Sequence, residues 1–117
     1  MENPIRSEVV DGTALMTVLG EIDFSNADDV AAGLRAAVAE WSPEELRIDL
    51  AEATFVDSSG LGALIEGYRA AVEAGCRFVV VNPSDSFRRV LSVTGLTELF
   101  GMSPEGSNAG LSQATGS

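Results

Sequence analysis

A chain of 117 residues, 45% of them hydrophobic, has the length and apolar content of one domain around one core, which excludes a two-domain organisation. Its 18 acidic against 7 basic residues give a formal charge of -11, which repels phosphate backbones and anionic lipid headgroups, so neither nucleic acid nor a membrane surface is expected as a partner. The absence of histidine removes the usual general base and the commonest zinc ligand, and a lone cysteine, Cys76, removes an internal disulfide and any multi-cysteine metal site.

The opening MENPIRSEVV lacks the charged and apolar regions of a signal peptide, and no apolar run approaches the ~20 residues that span a bilayer, so a cytoplasmic protein is expected. Residues 5–10 and 14–19 are β-prone and separated by Asp11-Gly12, a dipeptide suited to a tight hairpin. Ser25 stands where a helix N-cap belongs, with Asp28 three residues on. From there Ala27, Val30, Ala31, Leu34, Ala37, Val38 and Trp41 recur at three- and four-residue spacing, and Pro43 stops the helix. Leu46, Ile48 and Leu50 alternate with Arg47 and Asp49 as a strand, which leads through AEATFV into VDSSGLGALI. A second helical stripe follows in Leu61, Leu64, Ile65, Tyr68, Ala71 and Val72, with Gly75 placed as its left-handed stop. Cys76 reads as a small core residue.

Residues 78–81 form a continuous apolar run expected to be a strand buried on both faces. Ser84 caps a third helix carrying Phe87, Val90, Leu91 and Thr94, which Gly95 closes with Leu96 available for the accompanying apolar contact. Leu99 and Phe100 suggest a short last strand, and residues 103–117, rich in Gly, Ser and Ala without periodicity, are expected to be a disordered tail. The order is that of a small α/β domain, residues 1–102, with a mixed sheet of about four to five strands and helices packed on it. Strand ends in such sheets gather functional loops, which places Asp23, then Asp57 with Ser58, then residues 82–85 at one edge.

The paired serines of VDSSG admit several chemistries. Ser58 as the N-cap of the second helix is the commonest structural role at such a place. A nucleophile needs a base the chain lacks and a G-x-S-x-G pattern the motif does not meet. Gly60 and Gly62 lack the lysine and spacing of a phosphate-binding loop, and Asp23 with Asp57 lacks a third carboxylate or metal-ligand spacing. No catalytic residue, cofactor or metal is therefore expected. A phosphoacceptor serine at a helix N-terminus fits the physics without being selected by it.

VLGEIDFSNADDV, LRIDL followed by FVDSSGLGALI, and FVVVNPSDSFRRVLSVTGLTELF together resemble the STAS domain of bacterial anti-sigma factor antagonists, from the first hairpin to Phe100. The resemblance implies a non-enzymatic switch. Its phosphoacceptor would be the residue after the motif aspartate, Ser58, and its partner an anti-sigma factor serine kinase. That kinase would phosphorylate Ser58, and a PP2C-type phosphatase would reset it. Asp23 would lie beside the acceptor, and Asp57, Ser59, Gly60 and Leu61 in the loop and helix start that meet the kinase. Gly62 would serve tight packing or helix entry. Two other readings remain open at this point: a non-switching STAS module of a transport or stressosome assembly, and a small-molecule-binding α/β protein.

Overall fold

The computed structural model describes residues 4–96 and Phe100. The elements run β1 (Ile5–Val10), β2 (Thr13–Val18), β3 (Gly20–Ile22), α1 (Ala27–Trp41), β4 (Glu45–Asp49), β5 (Ala53–Val56), α2 (Ser58–Glu73), β6 (Arg77–Val81) and α3 (Asp85–Thr94). They form a mixed four-stranded sheet ordered β1-β2-β4-β6 and a two-stranded parallel sheet, β3-β5. This is the expected α/β class. Asp11 and Gly12 carry φ of 51° and 81°, the pair of positive values that a tight two-residue hairpin needs. β2, β4 and β6 are parallel neighbours.

The sequence reading ended the second strand at residue 19, gave residues 20–22 no element and took β5 as a lead-in to the motif; the structure makes both stretches strands. The parallel β2-β4 ladder ends at the pair of Thr17 with Asp49. The Leu19 N–H donates to the Pro4 carbonyl (2.9 Å), the Gly20 N–H to the Glu52 carbonyl (3.0 Å), and the Ala53 N–H closes a turn on the Leu50 carbonyl (3.1 Å). Parallel pairing resumes in the separate β3-β5 sheet, which carries both strands forward to the motif.

The core lies between one sheet face and the helices. Ala14, Met16, Val18, Leu46, Ile48, Phe78 and Val80 point into it from the strands, and Ala27, Val30, Ala31, Leu34, Ala37 and Val38 from α1. Strand alternation is what selects them: each has polar or half-exposed neighbours on the opposite face. β6 is accordingly buried on one face only, with Val79 and Val81 half-buried, because it is the end strand of a sheet covered on one side. Cys76 is buried as expected, and burial pushes its thiol pKa up. Tyr68 meets Phe78 edge-on at 5.8 Å. On the α2 stripe Leu64 and Ala71 are buried as expected and Leu61, Ile65 and Tyr68 pack partly buried against the core, whereas Val72 is 55% exposed; Gly60, Ala63 and Gly67 complete the buried face. At Gly67 a Cβ would stand 2.6 Å from Leu34 Cδ1, so α2 reaches α1 through a residue that has no side chain.

On the other sheet face Glu45 is bracketed by Arg47 (Nη2 to Oε2, 2.6 Å) and Arg77 (Nη2 to Oε1, 2.9 Å). Burial acts to raise the Glu45 carboxyl, and the hydrogen bonds from Arg77 and Arg47 outweigh it, holding the pKa below its ordinary value of 4.5. Both predicted glycine stops are seen: the Cys76 N–H returns to the Ala71 carbonyl past Gly75, and the Leu96 N–H to the Leu91 carbonyl past Gly95. Leu99 and the tail lie outside the described residues. Phe100 is buried in a turn, and its carbonyl accepts the Val80 N–H (3.0 Å).

Candidate functional site

Parallel pairing of β3 with β5 brings two loops together at their carboxyl ends, since Ile22 registers with Val56 and the Asp57 N–H donates to the Ile22 carbonyl (3.1 Å). Asp23 and Asp57 thus follow neighbouring strands, as the order of elements implied. The loop of residues 82–85 is tied to the end of β4, where Asn82 Nδ2 donates to Asp49 Oδ1 (3.1 Å), and its Ser84 lines a pocket with Thr54, Phe55 and Val56 of β5.

Each residue of the D-S-S-G motif has a separate task. Asp57, in extended conformation, is the N-cap of α2, its Oδ1 accepting the Gly60 N–H at 3.0 Å. Ser58 is not the cap. It is the first helical residue, it is exposed, and its hydroxyl makes no hydrogen bond with any described residue. Gly60, expected at the partner-facing loop, is buried: a Cβ there would stand 2.8 Å from Val56 Cγ1 and 2.9 Å from both Ile22 Cβ and Cγ2. Its absence lets the first turn of α2 rest directly on the ends of β3 and β5. Gly62, expected to serve packing, has nothing within 4 Å of that position. Leu61 packs partly buried against the core.

The loop before α1 is a closed knot of hydrogen bonds. Asp23 Oδ1 accepts from both the N–H (3.0 Å) and the hydroxyl (2.5 Å) of Ser25, while the Asp23 N–H donates to Asn26 Oδ1 (2.9 Å). Asn26 Nδ2 reaches back to the Glu21 carbonyl (2.8 Å). Ser25 therefore serves Asp23 and does not cap α1, whose preceding residue is Asn26. The Ser25 hydroxyl, followed by the Ser25 N–H, holds the Asp23 carboxyl below its ordinary value. Between these anchors Phe24 stands 83% exposed.

Sequence reasoning passed over Phe24. Its signal was available, because the residue fits neither the strand alternation before it nor the helical stripe after it. Phe24 and the half-buried Ser59 line a groove between α1 and α2, together with the buried Ala27, Ala31 and Ala63 and the carboxylates Asp28 and Glu66. Among the described residues no cluster of His, Cys, Asp and Glu could hold a metal ion, and no helix is long and apolar enough to cross a membrane. What the arrangement offers chemically is a surface hydroxyl at the positive end of a 16-residue helix, with two carboxylates at the adjoining strand ends.

Comparison with known proteins supplies the context. The anti-sigma-B factor antagonist of Listeria monocytogenes is 32% identical over 85 residues, which covers 70% of this chain and 71% of the relative. A crystal structure of an anti-sigma factor antagonist from Mycobacterium paratuberculosis superposes with a TM-score of 0.74 at 34% identity, over 86% of this chain and 84% of that one. The phosphorylated form of Bacillus SpoIIAA shares the fold at 24% identity, with a TM-score of 0.67 over 81% and 86% of the two chains. The family model of the STAS domain matches residues 4–109, across both sheets and all three helices, and the chain belongs to that family.

Proposed function

We propose that this chain is an anti-sigma factor antagonist switched by phosphorylation of Ser58. Unphosphorylated, it binds an anti-sigma serine kinase and frees a sigma factor. The kinase then modifies Ser58 and the complex parts, until a PP2C-type phosphatase restores the hydroxyl. The observation that carries the reading is the division of labour at the motif: Asp57 does the capping, which leaves the Ser58 hydroxyl exposed and without a partner among the described residues. A serine that held the helix together would not be available to a kinase. The names of the relatives agree with this role, and one structural neighbour is itself a phosphoprotein.

The lever is local charge. A phosphate adds roughly -1.5 to -2 units at a helix start that tolerates anions, so the free fold need not change. It does so beside Asp57 and close to the Asp23 knot, where a docked kinase brings its own nucleotide phosphates. The kinase supplies ATP, magnesium and the base, while this chain presents the acceptor. A coupling of ~1–3 kcal/mol would change partner affinity roughly 5- to 150-fold.

Incubation with a panel of anti-sigma serine kinases, ATP and magnesium, followed by phosphopeptide mass spectrometry, tests the assignment. One phosphate on Ser58 is expected, and a main site at Ser59 would overturn it. Ser58→Ala should still bind the kinase. Ser58→Asp, with about one charge in place of two, should bind more weakly than Ser58→Ala, and the defect should shrink at high salt. Equal affinities of all three proteins would place Ser58 outside the interface.

A further inference from the structure

The groove between α1 and α2 combines three features that the core does not need. The first is Phe24. At 83% it is the most exposed large apolar side chain among the described residues, yet the backbone that carries it is firmly held. Asp23 Oδ1 accepts the N–H and the hydroxyl of Ser25, the Asp23 carbonyl accepts the N–H groups of Asn26 (3.1 Å) and Ala27 (2.8 Å), and Asn26 Oδ1 accepts the Asp23 N–H. A ring on a fixed support loses little conformational freedom when a partner covers it, and aromatic side chains are enriched in the buried centres of protein interfaces.

The second feature is shape. Ala27 and Ala31 of α1 and Gly62 and Ala63 of α2 leave the space between the helices open at this end, whereas further along α2 Gly67 meets Leu34 directly. The third is charge, since Asp28 and Glu66 line the same groove. Asp28 makes no hydrogen bond or ion pair with a described residue. Glu66 is met by Arg35 at 3.8 Å with both side chains about half exposed, a contact that is cheap to exchange. Ser59, the neighbour of Ser58, completes the lining, so the groove adjoins the D-S-S-G motif.

We infer that Phe24 and this groove are the docking contact by which the anti-sigma serine kinase selects the chain, an inference that rests on the phosphoswitch reading above. The matching surface of the kinase is an apolar pocket that receives the Phe24 ring, with arginine at its rim to meet Asp28 and Glu66. Charge favours such a partner over a second copy, because each copy carries a formal charge of -11 and would bring further carboxylates to a groove that already holds two. The contact serves binding and not phosphoryl transfer, so it sets KM and leaves kcat alone.

The test uses whichever kinase of the panel phosphorylates Ser58. Phe24→Ala should raise the dissociation constant in calorimetric titration at least about tenfold, as loss of an aromatic anchor does. KM should rise in step with kcat within about twofold, the phosphate still on Ser58, and the urea unfolding midpoint unchanged. Phe24→Tyr, which keeps the ring, should bind nearly as wild type. Asp28→Asn combined with Glu66→Gln should weaken binding about two- to fivefold at low salt, and the difference should shrink at high salt. Wild-type affinity and KM in Phe24→Ala, with Ser58 still phosphorylated, would refute the docking surface and leave the switch standing. A wild-type protein that no kinase modifies at Ser58 would refute both. A fall in kcat at unchanged KM would place Phe24 in the transfer step, and wild-type self-association that Phe24→Ala abolishes would give the surface to a second copy; either result overturns the inference. If Phe24→Ala fails to fold, the double carboxylate variant decides alone: wild-type affinity at low salt refutes the docking surface.

Discussion

Gly60 and Gly62 stand two residues apart in the first turns of one helix, and alanine should have opposite effects at the two. At Gly60 the added methyl would lie 2.8 Å from Val56 Cγ1 and 2.9 Å from Ile22 Cβ and Cγ2. Neither neighbour is a flexible chain end. Both are β-branched, and the Ile22 Cβ is fixed to the β3 backbone, so relief requires α2 to lift from the strand ends. Overpacking of this kind is worth about 1–3 kcal/mol of destabilisation, against a gain of up to ~1 kcal/mol from replacing helical glycine. We expect a net loss of about 1–2 kcal/mol. At Gly62 nothing lies within 4 Å and only the propensity term acts, so Gly62→Ala should gain about 0.5–1 kcal/mol. Urea unfolding followed by far-UV circular dichroism gives both values. With a slope of roughly 1–3 kcal/mol per molar, the two midpoints should be separated by about 1 M, with Gly62→Ala the higher. Equal midpoints, or a stabilised Gly60→Ala, would refute the close seating of α2 on β3 and β5.

Asp57→Ala should lose ~0.5–2 kcal/mol through the missing cap, with Asp57→Asn largely preserving it, whereas Ser58→Ala should stay within ~0.5 kcal/mol of wild type by the same unfolding assay. Gly67→Ala should destabilise, because its methyl would meet Leu34 Cδ1 at 2.6 Å and Leu34 Cβ at 3.1 Å, and a Leu34→Ala background, which removes Cδ1 and keeps Cβ, should lessen the cost in a double-mutant cycle. Glu45 has its pKa lowered in the folded state, so its contribution is complete above the ordinary value of 4.5 and is lost as pH falls through the lower folded value. Wild type and Glu45→Gln should therefore differ most in unfolding free energy near pH 7 and converge in acid. A difference that grows as pH falls would contradict the double arginine clamp.

The sequence alone determined what depends on neighbours a few residues away. The apolar period of α1 named six of its buried residues in advance, Asp11-Gly12 announced the hairpin, and Gly75 and Gly95 marked two helix ends. Helical stripes, tight turns and glycine stops are set by local backbone geometry, so a single chain is enough to read them. The family motifs likewise singled out Asp57 and Ser58. Tertiary structure decided which serine or acid caps which helix: Asp57 took the role expected of Ser58, and Ser25 turned from α1 to Asp23. It also decided that Gly60, not Gly62, is the close contact, and that β3 and β5 exist as a separate pair. A residue with no side chain looks the same everywhere in a sequence. Only the approach of Ile22 and Val56, brought together by strand pairing across more than thirty intervening residues, distinguishes one glycine from the next.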